Sequence, residues 1–271
     1  AKILLDAMRK RVDQEKKGGR RAIVSAPPAP IATDRRDLIN SLDMKLALTK
    51  KRFDKDLEKY QGRLNLLTRN PKFRQRSLII VFEGSDAAGK GGSIRRITGA
   101  LDARQYQTIP IAAPTEEERA QPYLWRFWRH APRTGRVTIF DRSWYGRVLV
   151  ERVEGFAPEA DWMRAYAEIN DFEDQLVRNG ALVVKFWLAI TAEEQLKRFK
   201  EREKTRFKRF KITAEDWRNR KKWDDYEHAV CDMIDRTSTE ITPWTLVEAN
   251  DKYHARIKVL KTLCDRLEAG L

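Results

Sequence analysis

Residues 77–93 constrain this chain more than any other stretch. Ser77-Leu78-Ile79-Ile80-Val81-Phe82 is a short apolar run of strand character. It stops at Glu83-Gly84, passes through Ser85, Asp86, Ala87 and Ala88 to Gly89-Lys90-Gly91-Gly92, and enters Ser93-Ile94-Arg95-Arg96-Ile97, which reads as a helix start. A strand, a glycine-rich bend and a helix in that order make a cradle for phosphate. Gly84 and Gly89 let the backbone approach an anion with no Cβ in the way, and the free amides at the helix start point at it. Lys90 adds a point charge beside the transferring group. The spacing is G-x-x-x-x-G-K, with Gly91 where a Ser or Thr usually reaches magnesium. Asp86, inside the bend, offers an anionic oxygen instead, a donor that magnesium prefers.

A second run, Val137-Thr138-Ile139-Phe140, ends in Asp141-Arg142-Ser143-Trp144-Tyr145-Gly146-Arg147. An acidic residue at the carboxyl end of a strand beside a phosphate loop is a natural magnesium ligand, so Asp86 and Asp141 are read together as the metal pair. Phosphoryl transfer depends chiefly on positioning and on neutralising charge along the in-line path. In that chemistry Lys90 and the loop amides of residues 84–92 hold one phosphate, and Arg142 surrounds the moving group with other cations. A phosphate acceptor is largely ionised near neutral pH, its second pKa being about 6. Neither aspartate is therefore needed as a base.

The remaining pattern is that of an α/β protein. Leu46, Phe53, Leu57, Tyr60, Leu64 and Leu67 predict one long amphipathic helix from about Leu42 to Asn70-Pro71. Thr108-Ile109-Pro110-Ile111-Ala112 suits an edge strand, Ala181-Leu182-Val183-Val184-Lys185-Phe186-Trp187-Leu188 a buried one, and Trp244-Thr245-Leu246-Val247-Glu248-Ala249 a last one. Helices are expected over residues 160–177, 217–235 and 254–267. Thr191 and Glu194 predict a capping box that opens a further helix. That helix runs into a dense cationic stretch, Lys197 to Lys211, with Phe199, Phe207 and Phe210 interleaved and only Glu201 and Glu203 opposing the charge. Such a segment after a late strand suits a lid over phosphates, its phenylalanines packing it onto its base.

Composition narrows the partner. The 271 residues carry a formal net charge of +15, which favours a polyanion such as nucleic acid, an anionic membrane surface or an inorganic phosphate chain. Cys231 and Cys264 lie far apart and suggest neither a disulfide framework nor a zinc site. His130, His228 and His254 are scattered, and no Ser-His-Asp set is evident. With no apolar run of transmembrane length, the expectation is a soluble cytoplasmic protein with no membrane partner.

Four motifs in order carry a family resemblance. They are Glu83-Gly84-Ser85-Asp86-Ala87-Ala88-Gly89-Lys90-Gly91-Gly92, then Tyr123-Leu124-Trp125-Arg126-Phe127-Trp128-Arg129, then residues 141–153 beginning Asp141-Arg142-Ser143-Trp144-Tyr145-Gly146-Arg147, and finally Trp223-Asp224-Asp225-Tyr226. From about Leu42 to its end the chain resembles the polyphosphate kinase 2 family. The resemblance implies a three-layer P-loop kinase fold, thymidylate-kinase-like, with a central parallel sheet and a helical basic lid at about residues 191–223. It implies Mg2+ dependence and transfer of phosphate from inorganic polyphosphate to a nucleotide. It places catalytic roles on Asp86, Lys90, Asp141 and Arg142, lid contacts on Arg198, Arg202 and Lys211, and phosphate binding on Gly84, Ser85, Ala87, Ala88, Gly89, Gly91, Gly92 and Arg147. Phe207-Lys208-Arg209-Phe210-Lys211-Ile212-Thr213 with Glu154-Gly155-Phe156 resembles the branch that converts AMP to ADP. The alternatives are transfer to nucleoside diphosphates and an ATP-dependent nucleotide kinase; the high charge favours the polymer donor, and no nucleic-acid reader is recognised. Oligomeric state stays open, a homo-oligomer included.

Residues 1–36 are read as a helical tail and a linker containing Ala26-Pro27-Pro28-Ala29-Pro30, and residues 37–271 as the catalytic domain. Members of the AMP branch often carry two such domains in tandem. With the absence of an initial methionine, that makes this chain read as the second half of a tandem protein.

Overall fold

The computed structural model describes residues 38–271, so the expected tail and proline-rich linker lie outside the described residues. Helix α1 (Lys50–Arg69) precedes strand β1 (Ser77–Gly84), helix α2 (Lys90–Thr98) and strand β2 (Tyr106–Pro110). The short helices α3 (Glu116–Arg119) and α4 (Trp125–Trp128) lead to β3 (Val137–Asp141). Next come α5 (Val150–Val153), α6 (Glu159–Arg178), β4 (Ala181–Ala189), α7 (Ala192–Lys204) and α8 (Ala214–Lys221), and last α9 (Trp223–Thr237), β5 (Trp244–Glu248) and α10 (Lys252–Ala269).

The strands form one parallel sheet in the order β2-β3-β1-β4-β5. Continuous apolar strands are what a sheet covered on both faces requires, and period-two alternation divides them between two cores. Leu78, Ile80 and Phe82 join Val184, Phe186 and Leu188 under α1, α2 and α10. Ile79 and Val81 join Val183 and Trp187 under α6 and α9. Glu83 and Lys185 are in phase with this second set, so each carries a charge into that face.

β1 lies between β3 and β4, and the helices that follow β1 and β3 pack on opposite faces. Loops leaving the carboxyl ends of β1 and β3 therefore diverge and leave a crevice between them, the place where parallel α/β sheets hold ligands. The register sets Phe82 beside Asp141 and Gly84 beside Leu188, which brings the phosphate loop and the Asp141-Arg142 motif together.

Three local expectations are corrected. The first long helix begins at Lys50 rather than near Leu42, because Thr49 caps it by accepting from the Arg52 amide and the chain before it is turned. The expected helix at 217–235 is two helices, broken at Lys222, whose ammonium is drawn to Val153 O and Glu154. The capping box at Thr191 is half made. Thr191 Oγ1 accepts from the Glu194 amide, but the Thr191 amide donates to Asn250 Oδ1, and the Glu194 carboxylate is paired with Arg198.

Candidate active site

The phosphate loop is built from backbone conformations that only its particular residues tolerate. Gly84 has φ +148°, and a Cβ there would stand 2.5 Å from Leu188 O, so any side chain would be driven into β4. Gly89, with φ +107°, is the left-handed N-cap of α2. Ala87 at φ 63° and Arg142 at φ 64° also lie in the left-handed region, where L side chains store strain of about 1 kcal/mol or more. The Arg142 amide donates to Phe82 O at 3.0 Å, which locks the second motif against the end of β1.

Around this bend the charges converge. Lys90 Nζ donates to Gly84 O at 2.6 Å and to Ser85 O at 3.4 Å. Burial holds its ammonium below the ordinary lysine value, with Asp86 and Asp141 opposing that shift and Arg142 adding to it. Arg142 Nη2 donates to Asp86 Oδ1 at 3.2 Å. Burial alone would lower the Arg142 guanidinium, yet the charges of Asp86, Glu83, Glu215 and Asp141 hold it above its ordinary value. Asp86, Lys90, Asp141 and Arg142 are thus one electrostatic cluster at the ends of β1 and β3.

Asp86 and Asp141 also suit a hard divalent cation. Magnesium is held by one or two carboxylates and completes its shell with water and substrate phosphate. Each oxygen of Asp86 accepts one protein donor and keeps a free lone pair. The Asp141 carboxylate has no hydrogen bond or ion pair among the described residues, and those residues hold no cluster of three or more ligating side chains. Two carboxylates beside a phosphate cradle match magnesium carried in with phosphate rather than an all-protein cage.

Two residues of the site have contacts that motif reading does not assign. Glu83 is buried, accepts from Ser143 Oγ at 2.8 Å, and is raised above the ordinary carboxyl value first by burial, against the pull of Lys90. Its signal is its phase with Ile79 and Val81, a carboxylate on a buried face. Asn219 donates from Nδ2 to Asp86 Oδ2 at 3.0 Å, and nothing in its local sequence announces this.

The lid residues do not all do what was expected. Arg198 is 3% exposed, and its five N–H groups are all taken by protein. Nε serves Glu194, Nη1 the carbonyls of Ala87 and Ala88, and Nη2 those of Ala249 and Asn250. It braces the phosphate loop from behind instead of reaching toward a substrate. Arg202 donates to Lys211 O and is lowered by burial, with Asp216 and then Asp86 opposing that shift. Lys211 is exposed, its ammonium over the Phe210 ring. Arg147 pairs with Glu151 at 3.1 Å and stacks on Tyr123. Of the three lid phenylalanines, only Phe199 packs inward, edge-on to Trp217; Phe207 and Phe210 are about three-quarters exposed, at 74% and 75%.

On the second face a cleft opens beside the loop. Its polar wall is Glu83, Asp86, Arg142, Gln195 and Asn219, and its apolar wall includes Leu149, Val150, Trp223 and Val230. On the first face, Arg256 and Lys252 of α10 lie near Arg198, and Arg256 also near Arg96 of α2. Both are lowered first by burial and then by these neighbouring cations. A cleft with one polar end and an apolar wall thus lies on one side of the loop, and a band of cations on the other. Among the described residues no helix is long and apolar enough to cross a membrane.

A glycine bend with its lysine between β1 and α2, and an Asp-Arg motif at the end of the neighbouring strand, define an α/β phosphate-binding protein of the P-loop kind with a basic helical lid. The polyphosphate kinase 2 family model matches residues 47–270. Over 269 residues the chain is 61% identical to the polyphosphate:AMP phosphotransferase of Pseudomonas aeruginosa, covering 99% of this chain and 54% of that protein. A crystal structure of a polyphosphate kinase 2 from the same organism superposes with a TM-score of 0.86 at 66% identity, covering 88% of this chain and 52% of that one. The polyphosphate kinase 2 of Arthrobacter aurescens superposes at 0.82 with 35% identity, covering 90% of each chain. This chain belongs to the polyphosphate kinase 2 family. It spans about half the length of the curated relatives it matches first.

Proposed function

We propose that this chain transfers a phosphoryl group from inorganic polyphosphate to AMP, giving ADP and a polyphosphate shorter by one unit. An oxygen of the AMP phosphate attacks the terminal phosphorus of the polymer. The P–O bond to the next phosphate breaks, and the shortened chain keeps the electron pair. Lys90 and the amides of Gly89, Lys90 and Gly91 hold the donor end. The cations of Arg96, Lys252 and Arg256 continue that hold along the polymer, which accounts for a crowd of cations that make no ion pair among the described residues. Arg142 sits at the mouth of the cleft, where charge moves between acceptor and donor. The apolar wall of the cleft receives the nucleoside and keeps water from the reacting phosphate.

Asp86 and Asp141 are the residues to hold Mg2+, which when bound neutralises phosphate charge and aligns donor and acceptor oxygens. The observation that carries the reading is the meeting of Lys90, Asp86 and Arg142 at the rim of a cleft with an apolar wall. It occurs in a chain 61% identical to a protein named for this reaction.

The test crosses two donors, polyphosphate and ATP, with AMP, ADP and GMP as acceptors in the presence of Mg2+. The expected result is ADP from polyphosphate and AMP without ATP, and a loss of at least about a hundredfold in Asp141→Asn and in Lys90→Ala. Activity with ATP alone, or only with ADP as acceptor, overturns the donor or acceptor assignment. Undiminished turnover in either variant overturns the site.

A further inference from the structure

Helix α8 contains no buried residue; beyond the edge-on contact of Trp217 with Phe199, it is held in place by polar contacts. Those contacts fall within five positions. Arg218 Nε and Lys222 Nζ donate to Glu154 Oε2 at 3.0 and 3.2 Å, and the Glu154 side chain is only 4% exposed. Arg220 donates to Ala192 O at 2.7 Å and to Gln195 Oε1 at 3.1 Å. Asn219 Nδ2 donates to Asp86 Oδ2 at 3.0 Å. Tyr226 OH stands 3.4 Å from Asn219 Oδ1 and 3.5 Å from Glu154 Oε1, linking the two anchors.

We infer that Asn219 is a positioning residue that couples docking of the lid helix to the orientation of Asp86, with Glu154 as the latch that holds the helix down. The inference rests on the reading of Asp86 as a magnesium ligand. A carboxylate turns freely about its last bond unless both oxygens are engaged. Arg142 takes Oδ1 and Asn219 takes Oδ2, so the carboxylate plane is set only while α8 is docked. The donor type matters as well. A lysine or arginine at 219 would neutralise the oxygen it touched, whereas an amide orients it and leaves the charge for a cation. Hydrogen bonds that orient ligand side chains commonly hold a factor of about 10 to 100 in metal affinity.

The experiment compares wild type, Asn219→Leu, Glu154→Gln, their double variant and Asp86→Asn. Three quantities are read in the full chain: Mn2+ affinity by electron paramagnetic resonance with ADP present, the Mg2+ concentration that half-saturates ADP formation, and the urea midpoint. Leucine keeps the branched outline of asparagine, in a somewhat larger side chain, without a donor. The expected result for Asn219→Leu is a weakening of about tenfold in both metal quantities, with a urea midpoint close to wild type. Glu154→Gln is expected to shift them the same way, and the double variant to be no worse than the stronger single, since both act through one contact. If Asn219→Leu leaves both metal quantities within about twofold of wild type while Asp86→Asn weakens them, the inference is overturned and the metal site stands. If Asp86→Asn moves neither, the metal reading itself has failed and the inference falls with it.

Discussion

Arg198 offers the sharpest separation between a substrate contact and a structural brace. The guanidinium is buried, and its five N–H groups meet Glu194 and four backbone carbonyls from two loops, at 2.7 to 3.1 Å. Arg198→Lys keeps the positive charge but offers at most three donors, without the planar fork that reaches both loops at once. At least two of the five acceptors then lose their partner. Each buried acceptor left unmet costs about 1–3 kcal/mol, so the variant is expected to lose about 2–4 kcal/mol of folding free energy after local relaxation. Equilibrium urea denaturation reads that loss as a lower midpoint at unchanged slope. Kinetics at a temperature where both proteins are folded should show reduced turnover from a loosened phosphate loop, with KM for AMP and for polyphosphate each within about threefold of wild type. Wild-type stability together with a rise of a hundredfold in either KM would refute the brace, because it would mean that the fork meets substrate rather than the loop.

Two further outcomes follow from buried groups. Lys185 is fully enclosed and donates to Glu173 Oε2, Tyr145 OH and Thr237 O, each at 2.8 Å, while Glu173 also accepts from Trp144, Tyr145 and Thr242. Lys185→Met leaves that carboxylate without its cation and is expected to cost about 3–5 kcal/mol in urea denaturation; a cost below about 1 kcal/mol would show that the neutral donors suffice. Burial pushes the Cys264 thiol up to about 11 from an ordinary value of 9. Because the folded value is the higher one, its contribution to stability is complete below pH 9 and is lost as pH rises from 9 toward 11. Cys264→Ala should flatten the wild-type decline over that window when melting temperatures are compared, and an identical decline in both proteins would contradict the assignment.

The fold was legible where side-chain period and burial agree. The β-branched runs at 77–82, 137–140 and 181–188 became central strands, and Thr108-Ile109-Pro110 the edge where a proline costs little. The helix at 159–178 followed its apolar stripe, with Tyr166, Ile169, Phe172 and Leu176 buried. The same reasoning overran where polar contacts decide. Leu46 continues a helical spacing yet is exposed, because the Thr49 cap starts the helix after it. Phe207 and Phe210 look like packing residues beside Phe199, but the short two-turn stretch Arg206–Lys211 turns them outward.

The candidate site divides along the same line. Gly84, Gly89, Lys90 and Asp141 are readable because each is demanded by its neighbours in the chain: a bend, a helix start, the end of a strand. Glu83 is half readable. Its alternation with Ile79 and Val81 assigns it to a buried face, and a buried carboxylate needs a donor, but Ser143 lies 60 residues away and no local rule finds it. Asn219 is farther still, 133 residues from Asp86, on a helix with no buried residue and only Trp217 packed on a neighbouring ring. A helix without a continuous apolar stripe has a weakly specified docking angle of its own. Where Asn219 points is therefore set largely by Glu154 and Gln195, which hold its neighbours Arg218, Arg220 and Lys222, together with the Trp217 contact on Phe199. A lid helix anchored mainly by polar contacts, with the Trp217–Phe199 edge as its aromatic contact, costs less to undock than one with a buried apolar face, because water replaces each polar bond that is broken. The features that hid Asn219 from sequence reading, a helix with no buried residue and a partner 133 residues away, are thus the ones that leave its docking to polar side chains.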